Sequence, residues 1–197
     1  MTHKLRMEDI EDLRAYEGKR AAYLARIIDL KAKRRVQVGE FVTFVFENRE
    51  TMRFQIQEMA RAEKMLRDEQ IQEELDAYNP LIPDAGQLSA TLMIELRTNE
   101  EMREWLPRLV GIETKAYVRI GPEVVMCEVD KAHADQLTRE DVTSAVHYVR
   151  FQLNDDEIDA FATSEVALGI DHPNYREETL LSAETKASLL DDLRGES

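Results

Sequence analysis

Cysteine occurs once in this chain of 197 residues, as Cys127. A lone thiol excludes an intramolecular disulfide and any all-cysteine cluster or structural zinc site within one chain. It lies in EVVMCEV, an alternating apolar stretch, where a buried, inert thiol is preferred over a nucleophile. Glycine and proline are scarce too, at 7 and 5 residues. With no low-complexity linker and no internal repeat, a single α+β domain over 1–197 is expected, helix-rich in 1–80 and sheet-rich in 81–197. No run approaches the ~18 apolar residues of a membrane span, and MTHKLRMEDIEDL lacks the apolar core of a signal peptide. A cytoplasmic protein that does not engage a membrane is therefore expected.

Positive charge is also in short supply. The 26 basic against 40 acidic residues leave a formal charge of −14, which repels phosphate backbones, and the only basic cluster, KAKRR at 31–35, suits a helix C-terminus. Nucleic acid is not an expected partner. No GxSxG elbow, Walker-type loop, GxGxxG or HExxH occurs. Histidine appears only as His3, His133, His147 and His172, with no Glu-x-x-His pair of the kind that di-iron bundles use. Neither a metal nor a cofactor is expected, and any coordination would be oxygen-rich, suited to Mg²⁺ or Ca²⁺ rather than iron or zinc.

What is present is enough apolar residue, 43%, to build a core. Residues 8–34 read as a long helix with Ile10, Leu13, Ala21, Leu24 and Ile28 on one stripe, and Val36–Phe46 as a strand or hairpin punctuated by Gly39. Asn48 is a plausible N-cap, and Arg49 to about Ala77 lacks glycine and proline, which predicts a second long helix ended by YNPLIP. ATLMIEL predicts a strand, and TNEEMREWLPRLVG a short helix capped by Thr98 and disturbed by Pro107. TKAYVRI, EVVMCEV and SAVHYVRFQL are three further strands, with Gly121 and Pro122 turning between the first two. NDDEIDAF is a helix, SEVALGI a strand, and SAETKASLLDDL a last helix capped by Ser182. The fold class is α+β: two long N-terminal helices packed with a mainly antiparallel sheet, and short helices in the C-terminal half.

Two carboxylates interrupt the helical stripes. At about 100° per residue, Met52, Ile56, Met59, Ala60 and Leu66 share one face and Glu63 falls near its middle. Glu17 does the same on the first helix. Buried charge must be paired, so an ion-pair network of Glu17 or Glu63 with Arg20, Arg53 or Arg61 is preferred, and a ligand groove or a metal site remain alternatives. Glu63 is expected to be buried beside an arginine.

The run FENRETMRFQIQEM carries the densest chemistry. Arg49 and Arg53 sit four apart on the first turns behind Asn48, where backbone N–H groups and the helix dipole favour an anion. Glu47 and Glu50 support the competing reading, a structural clasp in which they neutralise both arginines. Gln55 and Gln57 face away from the stripe, toward solvent. His172, in DHPNY, reads as part of a structural turn, while His147 and Arg150, three apart on a strand, belong to opposite faces. The candidate ligand-binding residues are Asn48, Arg49, Arg53, Gln57, Glu63 and His172; no catalytic residue is assigned.

FENRETMRFQIQEMARAE, AYNPLIP, LSATLMIE, SAVHYVRF and DHPNY followed by SLLDDL resemble the successive motifs of a bacterial family of uncharacterised proteins, domain of unknown function family 3501, over roughly residues 8–193. Members of that family are often encoded near rubrerythrin-like and iron–sulfur oxidoreductase proteins. The resemblance thus implies an association with redox or peroxide metabolism and carries over no catalytic residue.

Two functional classes stay open. The preferred one is a soluble, non-catalytic binding or accessory protein that works with a redox-protein partner or a small anionic ligand. The alternative is an enzyme acting on a small anionic substrate, with Arg49 and Arg53 as a charge clamp and a Glu or His as acid–base. Homo-oligomerisation is left open.

Overall fold

The Asp12 carboxylate accepts the N–H groups of Arg14 and Ala15, both at 3.0 Å, and so starts helix α1, Leu13–Arg34. The computed structural model describes residues 4–129 and 141–196; His3 and His133 lie outside them. The buried stripe of α1 is Tyr16, Tyr23, Ile27 and Arg34, rotated from the expected one: Ala21 is exposed and Ile28 is 58% exposed. Aromatic area decides the rotation. Tyr16 and Tyr23 meet edge to face at 6.1 Å and Tyr23 meets Phe54 at 5.6 Å, burying far more surface than Ala21 and Leu24 offer.

The hairpin of β1 (Arg35–Val38) and β2 (Val42–Glu47) turns at Gly39, whose φ is +71°. Helix α2 then runs only from Arg49 to Ala62, and α3 from Asp68 to Tyr78. The expected second long helix is two helices, so one long helix stands in the N-terminal half rather than two. The break is a Schellman ending: the Met65 N–H reaches the Ala60 carbonyl at 2.9 Å, the Lys64 N–H reaches the Arg61 carbonyl at 3.3 Å, and Lys64 is left-handed at φ +53°. Burial of Met65 against Ala60 in one apolar cluster holds the turn, and no glycine or proline announces it. Met52, Ile56 and Ala60 keep their expected burial, whereas Leu66, past the break, is 83% exposed.

The rest of the described chain alternates strands and short helices: β3 (Gln87–Ile94), α4 (Asn99–Arg108), β4 (Ala116–Ile120), β5 (Glu123–Met126), β6 (Val146–Gln152), α5 (Asp155–Thr163), β7 (Val166–His172), β8 (Tyr175–Leu180) and α6 (Ala183–Leu193). The strands form two antiparallel sheets, ordered β1-β2-β3-β6 and β5-β4-β7-β8. Glu128 bridges to Arg150 at one seam between them. At the other, the Tyr175 hydroxyl donates to the Val38 carbonyl at 2.7 Å and the Thr179 hydroxyl to the Gln37 carbonyl at 2.8 Å. The sheets therefore wrap one core, in which Phe44, Phe46, Leu88, Leu92, Val149 and Phe151 face Ala116, Val118, Leu168 and Ile170.

Strand β8 is not foreseen from sequence. YREETL carries three charged residues because it is the edge of its sheet, where charge discourages pairing with another chain. Pro107, by contrast, acts as expected, and α4 ends one residue after it.

The N- and C-terminal ends of this architecture are tied by Arg34. Its guanidinium, 1% exposed, donates to the Phe46 carbonyl at 2.8 Å, the Glu47 carbonyl at 3.2 Å and the Ser188 hydroxyl at 3.0 Å, and pairs with the buried Asp192 of α6. A residue of the KAKRR cluster thus serves the interior.

Candidate functional site

The carboxylates that the helical stripes were expected to bury resolve differently. Glu63 is the C-cap of α2 and is exposed, because the helix ends there; it does not lie buried beside an arginine. Glu17 is exposed and meets Arg61 at 2.7 Å. The residue that joins α1 to α2 is Glu58, which accepts two 2.8 Å bonds from Arg20 and one of 2.8 Å from the Tyr16 hydroxyl. The Arg20 guanidinium, opposed by partial burial and aided by Tyr16, holds the Glu58 carboxyl below its ordinary value of 4.5. As pH falls below 4.5 the unfolded chain takes up this proton before the folded one, so the stabilisation is present above that pH and disappears as pH drops through the lowered folded value. Glu58→Gln is expected to cost about 1 kcal/mol at pH 7 and much less near pH 3. Urea unfolding of both proteins at the two pH values checks this, and an undiminished gap at pH 3 contradicts it.

At the FENRET turn the capping is as expected. The Asn48 side chain accepts the Thr51 N–H at 3.0 Å and the Thr51 hydroxyl accepts the Asn48 N–H at 2.9 Å, a closed capping box. Carboxylates surround the two arginines. Arg49 meets Asp9 at 2.6 Å; Arg53 donates to the Asp9 carbonyl at 2.8 Å and lies 3.5 Å from Glu11 and 3.9 Å from Glu50. Burial of Asp9 opposes its ionisation, but the Arg6 N–H and the Arg49 guanidinium outweigh it and hold its carboxyl below the usual range. Gln57 does not face solvent. It is buried, and its amide makes a two-way 2.9 Å clasp with the Glu11 backbone. Arg49, Arg53 and Gln57 thus come together around the segment 9–11, which their spacing in sequence did not foretell, while Asn48 is occupied in the helix cap.

His172 stands apart from them, at the end of β7. Its Nε2 donates to the Val110 carbonyl at 3.2 Å and its Nδ1 accepts the Asn174 N–H at 3.2 Å, which uses both ring nitrogens in a turn. His147, on the core side of β6, has its Nε2 2.8 Å from the Thr143 hydroxyl and 2.9 Å from the Ser144 carbonyl, and burial lowers its pKa. The Cys127 thiol donates to the Glu113 carbonyl at 3.0 Å, and burial pushes it up to about 11.

A further cavity lies elsewhere, on the face of the first sheet that points away from the second. Directly paired residues of neighbouring strands share a face, and the register sets Glu47, Ser89 and Arg150 on one rung, with Thr91 and Tyr148 on the next. A cleft of about 260 Å³ opens here, walled by Leu81, Ser89, Glu128, Tyr148 and Arg150. Arg150 donates to the Pro80 carbonyl at 2.7 Å, yet its Nε is buried without a hydrogen-bond partner, and no carboxylate among the described residues lies within ion-pair distance of it. Glu47 is 4% exposed; one carboxylate oxygen accepts the Thr91 hydroxyl at 2.7 Å and the other has no partner. Burial, then the neighbouring Tyr78 and Glu47, raise the pKa of the Tyr148 phenol, so it stays protonated as a donor. The sequence signal was the polar residues inside strands: S in LSAT, E in FEN and R in HYVRF. The segments NPLIP, LSAT and HYVRF, each noted separately in the sequence, meet at this place, with Glu47 of FEN on the same rung of the sheet.

Among the described residues no group of three or more His, Cys, Asp or Glu is arranged to hold a metal ion, and no helix is long and apolar enough to cross a membrane. Residues 4–193 match the family described as Protein of unknown function (DUF3501). The fold is similar to a crystal structure of a novel protein of unknown function from Burkholderia pseudomallei K96243, at 38% identity and a TM-score of 0.89, covering 98% of this chain and 100% of that one. No curated protein matches the chain.

Proposed function

The chain belongs to the DUF3501 family, whose description names no activity, and from its own geometry we propose that it is a binding protein for a small anionic ligand, taken up in the outer-face cleft with Arg150 as the anion contact. The observation that carries this reading is the contrast between arginines. Arg49 and Arg53 are matched by Asp9, Glu11 and Glu50, whereas Arg150 lines a cleft with a buried, unpartnered Nε–H. A buried guanidinium donor without an acceptor is costly, and an anion supplies the acceptor with a charge-assisted bond. Redox chemistry, if the protein serves it, falls to a partner: a thiol held protonated as Cys127 is provides no thiolate near neutral pH.

Calorimetric titration of the full chain with phosphate, acetate and succinate tests the reading. At least one probe is expected to bind, and Arg150→Gln to weaken it by roughly ten- to a hundredfold, the worth of a charged hydrogen bond, while Arg49→Gln and Arg53→Gln leave it unchanged. Binding that survives Arg150→Gln and fails in the other two variants returns the site to the helix N-terminus.

A further inference from the structure

We infer that the ligand of this cleft is a monocarboxylate with an apolar body, and that Glu128 sets this class by turning away a second negative charge. The inference rests on the cleft being the binding site. Glu128 and Arg150 are directly opposed across the seam: the Glu128 N–H donates to the Arg150 carbonyl at 2.7 Å and the Arg150 N–H to the Glu128 carbonyl at 2.9 Å. Residues paired in this way carry their side chains on one face, about 5 Å apart at Cβ, and both of these wall the cleft. Opposite charges so placed attract one another, yet the two side chains form no ion pair. The Pro80 carbonyl draws Nη2 of Arg150 aside at 2.7 Å, and the exposed Glu128 carboxylate has no hydrogen-bond or ion-pair partner among the described residues. Nη1 of Arg150 has no acceptor there either and, unlike Nε, is not sealed from solvent, so an incoming oxygen can reach it.

Charge and wall together select the ligand. Among the described residues Arg150 and Glu128 are the two charged members of the wall, which therefore carries no net charge. A monoanion settles against Arg150. A dianion of the same length brings a second carboxylate into the field of Glu128, and like charges some 6–8 Å apart near a protein surface repel on the scale of a roughly tenfold change in affinity. Glu47, on the same rung but buried outside the cleft, adds repulsion of the same sign. An exposed carboxylate is solvated and needs no counter-ion, so Glu128 acts by repulsion rather than by contact. Leu81, Val129 and the Tyr148 ring meet the remainder of the ligand with apolar surface, and a cleft of about 260 Å³, just under the size that drug-like molecules occupy, suits a body of a few carbons.

The test is calorimetric titration of the full chain near pH 8 with acetate, butyrate, 4-aminobutyrate, and succinate and phosphate, the last two carrying two negative charges. Butyrate is expected to bind roughly tenfold more tightly than acetate, the worth of two buried methylenes, and at least about fivefold more tightly than succinate, its dianionic counterpart. Glu128→Gln is expected to narrow that gap to within about twofold by tightening succinate more than butyrate. Raising NaCl to about 0.5 M is expected to narrow it in the parent protein, because an exposed charge is screened, a response that steric rejection of succinate lacks. Circular dichroism and melting of each variant confirm folding. If succinate or phosphate binds as tightly as butyrate, or Glu128→Gln leaves the gap unchanged, selection by charge is overturned and the anion site stands. If butyrate binds no better than acetate, the apolar body is overturned. If 4-aminobutyrate binds more tightly than butyrate, Glu128 recruits a cation and the monocarboxylate is overturned. If no probe binds, or Arg150→Gln weakens none, the cleft reading itself falls and this inference with it.

Discussion

Replacing Arg34 by methionine is expected to lower the stability of the protein by about 3–5 kcal/mol, the scale on which removing one partner of a buried ion pair acts. The aliphatic stem would be kept, so the loss is not one of volume. It comes from Asp192, whose side chain is 0% exposed and would lose its guanidinium, and from the Phe46 and Glu47 carbonyls, which accept from Arg34 where β2 runs into α2. For a chain of this length that corresponds to a melting-point drop of roughly 10 °C. Thermal and denaturant unfolding measure it. The variant Arg34→Met with Asp192→Leu is expected to recover a large part of the loss, because neither member of the pair is then left in the interior without its partner. A single variant within 1 kcal/mol of the parent contradicts the assignment.

Gly39→Ala is expected to cost about 2–5 kcal/mol, from two sources. The backbone is left-handed at φ +71°, which costs an L-residue about 1–2 kcal/mol. A Cβ there would also lie 2.4 Å from the Tyr175 hydroxyl oxygen and 2.5 Å from the Glu177 Cγ. Tyr175 has little freedom to yield: its hydroxyl donates to the Val38 carbonyl at 2.7 Å, accepts the Phe41 N–H at 3.3 Å, and its ring packs 4.8 Å from that of Phe41. Overpacking of this kind adds about 1–3 kcal/mol. Gly111→Ala supplies the comparison, since Gly111 is also left-handed, at φ +87°, but has nothing within 4 Å of its Cβ position. Equal losses in the two variants in urea unfolding would show that the seam at Tyr175 contributes nothing.

Local signals in the sequence were reliable wherever the physics was local. Asn48, Thr98 and Ser182 each cap the helix that they were expected to cap, since a cap needs only a side-chain oxygen two or three residues ahead of an unpaired N–H. Seven of the eight strands lie in stretches read as strand or hairpin, and His147 and Arg150 fall on opposite faces of β6, as a period of two requires. The errors arose where a distant partner decided. The α2–α3 break depends on Met65 docking against the helical cluster, which no breaker residue marks. The position of Glu63 followed that break, and the stripe of α1 turned toward the aromatic partner Phe54.

The candidate site shows the same division. Sequence placed arginines and carboxylates near the FENRET turn, and its composition was enough to settle the acidic charge, the lone thiol, the α+β class and the helix caps, because each depends on residue identity or on neighbours within a few positions. Which cations are matched is a different kind of quantity. Asp9 and Glu11 reach Arg49 and Arg53 from some 40 residues away, Arg34 enters the interior to meet Asp192 near the other end of the chain, and Arg150 reaches a cleft whose walls come from four separate segments. Pairing of charges varies with separation in space and with exclusion of water, and both are set only when antiparallel strands bring Glu47, Ser89 and Arg150 onto one rung.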